Sequence, residues 1–119
     1  MTIAMDTKYI KKSKEYLERL DYLRPYFLED DGKYTYTIQT KTEAEELRNN
    51  IVSFQKELEK HLIDKVDELK NQYMIRNHCT YENIPSEIIN AHFGGEGQKI
   101  YDKIMYASEE LAELLYKRW

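Results

Sequence analysis

The sequence has little of what staples or punctuates a chain: one cysteine, two prolines and four glycines in 119 residues. A lone thiol, Cys79, cannot close an internal disulfide, so a reducing, cytoplasmic setting inside a bacterial cell is the expectation. No long apolar run occurs; pieces such as Leu114-Leu115-Tyr116 are far too short for a spanning helix, so no membrane role is expected. Met1 to Lys8 has no apolar stretch of the kind a secretory signal carries. Excess positive charge is missing as well. Eighteen basic against 22 acidic residues give a net charge of -4, which supplies no field for general nucleic-acid binding. Tryptophan (1) and phenylalanine (3) are scarce too, yet there are 11 tyrosines. Lysine, isoleucine, tyrosine and asparagine are abundant beside few alanines, arginines, glycines and prolines. That usage points to an AT-rich genome, such as a low-GC bacterium or its phage.

Hydrophobic periodicity predicts a single, mostly α domain over residues 1–119. Tyr9, Ile10, Tyr16, Leu17, Leu20 and Leu23, with Ser13 among them, share one arc of a helix over about 6–24, which Pro25 is expected to end at Arg24. Tyr34, Tyr36 and Ile38 then alternate with threonines behind Asp31-Gly32. The pattern predicts a small β-hairpin over about 26–39, which needs support from helices or another chain. Thr42-Glu43-Ala44-Glu45 fits a capping box. Behind it Ala44, Leu47, Ile51, Phe54 and Leu58 run at coiled-coil spacing, and Leu62, Val66, Leu69 and Tyr73 continue the seam after a stutter. This predicts one long coiled-coil-like helix over about 43–76. Pro85-Ser86 opens a short helix over about 86–93, the glycines break it, and a last helix covers about 98–118. Two adjacent seams there, through Ile104 and through Met105, predict two packing neighbours.

A helix of that length would measure about 50 Å, against a diameter of roughly 35 Å for a compact chain of this size. Either the helix breaks, with Asn49-Asn50 as its weakest site, or the molecule is elongated or self-associates; an elongated helical bundle, alone or as a homodimer, is the expected answer.

No arrangement of residues supplies catalytic chemistry. His61, His78, Cys79 and His92 lack the paired spacing of zinc sites, and His61 falls on an apolar seam, so a structural histidine is the favoured reading. The acidic turn Glu29-Asp30-Asp31-Gly32 would put Phe27 and Ile38 at the first and twelfth positions of a calcium loop, where carboxylates are required. Cys79 beside a histidine lacks an orienting third group. Glu110 and Glu113 fall on the polar side of the last helix and are expected to face solvent. Acids along the long helix are interleaved with Lys56, Lys60, Lys65 and Lys70, the pattern of a solvated face. No cofactor or metal is therefore expected.

The tyrosines remain. Tyr9, Tyr16, Tyr73 and Tyr101 sit on seams and belong to the core edge, whereas Tyr22 and Tyr106 fall in the middle of polar helix faces. Tyr26, Tyr34 and Tyr36 cluster on the expected hairpin. Exposed tyrosines give broad, rigid contact at low entropic cost, so Tyr22, Tyr26, Tyr34, Tyr36 and Tyr106 are the candidate partner-binding residues. The function expected from this is protein binding without catalysis. Its most concrete form is a phage or mobile-element inhibitor, an anti-defence protein such as an anti-CRISPR, acting on a host or defence-system protein. The alternative is an oligomer that binds a nucleotide or other small anion at Gly94, Gly95, Gly97 and Lys99, where a glycine-rich loop enters a helix.

Overall fold

The computed structural model describes residues 1–27 and 37–118. In chain order it contains β1 (Thr2–Ile3), α1 (Thr7–Leu23), a 3-10 turn (Arg24–Phe27), α2 (Ile38–Asn77), a second 3-10 turn (Tyr81–Asn83), α3 (Ser86–Ile89), β2 (His92–Phe93) and α4 (Gly95–Arg118). The architecture is mostly α, with α1, α2 and α4 packed pairwise as a three-helix bundle.

The bundle core follows the expected seams of α1 and α2 and the Ile104 seam of α4, whereas the second seam expected on α4 is only partly covered and Met105 is exposed. Ala44, Leu47, Ile51, Phe54 and Leu58 of α2 are at most 1% exposed, and they meet Leu20 and Leu23 of α1 and Ile100, Ile104, Ala107 and Leu111 of α4. Ser13, on the buried face of α1, is fully enclosed and donates its hydroxyl to the Tyr9 carbonyl at 2.7 Å, which satisfies it locally. Further along α2 the seam is thinner. Val66 joins a small second cluster with Ile3 and Ala91, against which Leu62 and Leu69 are only half-buried.

Helix α2 is continuous for 40 residues, through the weak helix formers Asn49 and Asn50. Both asparagines are exposed while Leu47 and Ile51 beside them are fully buried, so packing outweighs propensity. At 1.5 Å per residue this is a rod of about 60 Å. It sets the molecular dimensions of 67 × 22 × 17 Å and a radius of gyration of 19.0 Å.

Several boundaries differ from expectation. The cap of α2 is Thr37, whose side chain accepts a hydrogen bond from the Thr40 amide at 3.1 Å. Thr42, expected to cap, lies inside the helix and donates to the Ile38 carbonyl instead. The helix therefore starts five residues before Glu43. Ile38 and Gln39 belong to it rather than to a strand, and Ile38 is 73% exposed, so the alternation serves no buried face there. At the other end of the expected hairpin, Tyr26 and Phe27 complete a 3-10 turn. The rest of that hairpin, including Tyr34, Tyr36 and the Asp31-Gly32 turn, lies outside the described residues. Arg24 keeps right-handed helical angles (φ -52°, ψ -43°) despite preceding Pro25; its amide still bonds to the Leu20 carbonyl, and the chain then tightens into the 3-10 turn.

The described β structure joins segments remote in sequence. β1 and β2 pair in parallel, Thr2 opposite His92 and Ile3 opposite Phe93. The short helix consequently ends at Ile89, not Phe93, because His92 and Phe93 are drawn out to meet the N-terminal segment and Phe93 is fully buried. α4 begins at Gly95, before the expected Gln98. A Cβ at Gly94 would lie 2.7 Å from that of Thr2, so glycine is needed for this close approach.

Candidate interaction surface

Tyr22 is 69% exposed and Tyr106 is 67% exposed, as their helical phase predicts. They line two separate open grooves, both involving the C-terminal half of α1. Between α1 and the start of α2 is a groove of about 540 Å³, lined by Glu15, Glu18, Arg19, Tyr22, Leu23 and Glu43. Between α1 and α4 is one of about 550 Å³, with Leu17, Leu20 and Ala107 as its apolar residues and Tyr106, Arg24, Glu110, Asp102 and Lys103 among its polar ones. The Tyr26 ring lies 6.1 Å from that of Tyr22, and a smaller recess continues from there past Thr37, Gln39 and Thr40. The structure thus joins Tyr22 and Tyr26, and it sets Tyr106 in a separate groove that shares only α1 with theirs.

An ion-pair network closes the α1–α4 side. The Arg24 guanidinium meets Glu110 at 2.9 Å and Asp21 at 2.6 Å. The Glu110 hydrogen bond is the main force that raises the Arg24 pKa, against partial desolvation. Glu110, expected to face solvent, therefore lines a groove and ties α4 to the 3-10 turn that follows α1. Its polar helical phase was visible in the sequence; the arginine 86 positions away was not. Glu113, by contrast, makes an exposed pair with Lys117.

The other candidates are dispersed. His61 is buried, with its ring 4.5 Å from Tyr9 and 5.7 Å from Phe93, and its Nε2 accepts the Asp6 amide at 3.3 Å. Burial pushes its pKa down, and Asp6 partly offsets this. His78 caps α2 in the left-handed region at φ 50°, and Cys79 is half-buried behind it. Among the described residues, no three His, Cys, Asp or Glu side chains come together to hold a metal ion.

The glycine-rich segment is a packing junction. The Gly94 amide donates to the Ile3 carbonyl and the Gly97 amide to the Gly94 carbonyl, both at 3.1 Å, so these two donors are already engaged. Met5 closes over Gly97, and Glu96 pairs with Lys14 at 3.2 Å. Lys99 is exposed.

Sequence reasoning missed Glu15, Glu18 and Glu43 as groove residues. The signal was present in part: Glu15, Glu18 and Tyr22 follow one another at spacings of three and four, the repeat of a single helix stripe. No protein-family model matches the sequence, and no curated protein or solved structure matches it either.

Proposed function

We infer that this chain is a non-enzymatic protein-binding module. Its most concrete form is an inhibitor carried by a phage or mobile element, an anti-defence protein such as an anti-CRISPR, that acts by direct contact with a host defence protein. The observation that carries the binding reading is the pair of exposed tyrosines, Tyr22 and Tyr106, each at the wall of an open groove involving α1. Neither ring contributes to the buried core, and each offers flat, amphipathic area of the kind that dominates protein interfaces. Acidic charge and an abundance of the residue types that AT-rich codons encode support the narrower assignment to a mobile element.

The test begins with affinity purification from the native host to identify the partner, followed by binding measurements on variants. Tyr22→Ala and Tyr106→Ala are expected to weaken partner binding by about 10- to 30-fold each, the scale of an interface hot spot, with an unchanged melting temperature. Normal binding by both variants would show that this surface is the wrong one.

A further inference from the structure

The two grooves differ in charge. The α1–α4 groove is lined by the carboxylates Asp21, Asp102 and Glu110 and the cations Arg24 and Lys103, and Arg24 pairs with both Asp21 and Glu110. Among the described residues, the α1–α2 groove is lined by three carboxylates, Glu15, Glu18 and Glu43, and one cation, Arg19. Among the described residues none of these three acids takes part in an ion pair; Glu43 only accepts a 3.4 Å hydrogen bond from Gln39. On the same helices Asp21 pairs with Arg24, Glu57 with Lys12, Glu45 with Lys41 and Asp67 with Lys70, while among the described residues Glu46, Asp64 and Glu68 are also without an ion pair.

We propose that the α1–α2 groove receives a lysine- or arginine-bearing segment of a protein partner, its cations facing Glu15, Glu18 and Glu43 and its aliphatic stems lying on Tyr22 and Leu23. Charge complementarity chooses this occupant. Phosphates of a nucleic acid are repelled by the three carboxylates, and among the described residues no cluster is tight enough for a single metal ion. A long basic side chain satisfies both halves of the groove: its methylenes cover apolar surface while its charged end reaches the rim. The exposed Tyr22 ring adds a face over which a cation is attracted. Glu15 and Glu18 are separated by about 4.5 Å along the helix axis, so successive cations one helical turn apart on the partner fit both.

The inference rests on the protein-binding reading and names the chemistry of its partner. The probe is a short helical peptide of alanine, leucine and lysine with lysines four residues apart, titrated into the full chain and followed by amide chemical shifts. A counterpart peptide carrying glutamate for each lysine is the control. The lysine peptide is expected to shift the amides of Glu15 to Leu23 and of Glu43. Its affinity should fall about tenfold in the Glu15→Gln/Glu18→Gln double variant and fall with added salt. Both substitutions lie on exposed positions, so the variant keeps its fold, checked by an unchanged melting temperature. Absence of binding, shifts confined to other acidic faces, equal binding by the glutamate peptide, or wild-type affinity in the double variant would each overturn the proposal. Partner binding that needs Tyr22 but ignores Glu15 and Glu18 would overturn this inference alone. Partner binding that ignores both tyrosines overturns the broader reading.

Discussion

His61 shows how one polar side chain can be made structural. Its ring lies within the aromatic group of Tyr9 and Phe93, and its Nε2 receives the amide of Asp6, the residue that precedes the first turn of α1. An acceptor nitrogen must be unprotonated, so the folded state requires neutral histidine. Burial lowers the folded pKa below the ordinary 6.5, with Asp6 pulling the other way. The folded protein therefore holds this proton less tightly than the unfolded chain. Stability is complete above about pH 6.5 and declines as the pH falls toward the depressed folded value. Thermal melts should show a lower melting temperature at about pH 5.5 than at about pH 7.5, and a shallower decline in a His61→Gln variant. An identical pH dependence in wild type and variant would remove His61 from this role. The apolar seam in the sequence marked His61 as buried; its partner amide, 55 positions away, left no local trace.

At the scale of elements, boundaries depend on competition between local signals. Thr42 with Glu45 has the form of a capping box, yet Thr37 wins, because it pairs with Thr40 and lets the helix extend by more than a turn. Loss of a working cap costs about 1 kcal/mol, whereas a threonine within a helix contributes little. Thr37→Ala is thus expected to destabilise the protein by about 1 kcal/mol in denaturant unfolding, and Thr42→Ala by clearly less. A reversed order would put the helix start back at Thr42. The same contrast explains what the sequence could reveal. Helical seams through Leu47, Ile51 and Ile104 are periodic and local, and they emerge with the expected burial. The pairing of β1 with β2 involves two residues on each strand, 90 positions apart, and no periodicity can announce so short a contact. Gly94 looked like a helix breaker with a latent anion role; only the approach of Thr2 shows why a side chain is excluded there.

The whole molecule is a rod whose two ends are built differently. The conflict between helix length and compact size is resolved by elongation within a single chain, so helix length alone requires no second copy. Around Ala44 to Leu58, α2 is enclosed by α1 and α4, and Phe54 is 1% exposed. Beyond Val66 its cover is the N-terminal strand and the segment around Ile84 and Ile88, while Ile75 is 75% exposed. Stability is accordingly uneven along one continuous helix, since local opening is cheapest where few apolar contacts are lost. Hydrogen exchange should find the amides of residues 47–58 protected up to global unfolding and those of residues 70–77 exchanging much faster. Substitutions should divide in the same way. Phe54→Ala removes a fully packed ring and costs about 3–5 kcal/mol, lowering protection everywhere. Val66→Ala removes two methyl groups from the small cluster, costs about 1.5 kcal/mol at most, and raises exchange chiefly in the outer part of α2. Uniform protection from Leu47 to Asn77 would mean that the outer end is braced as firmly as the bundle. That firmness would have to come from a contact outside the described residues, most simply a second copy laid along the exposed outer turns of α2.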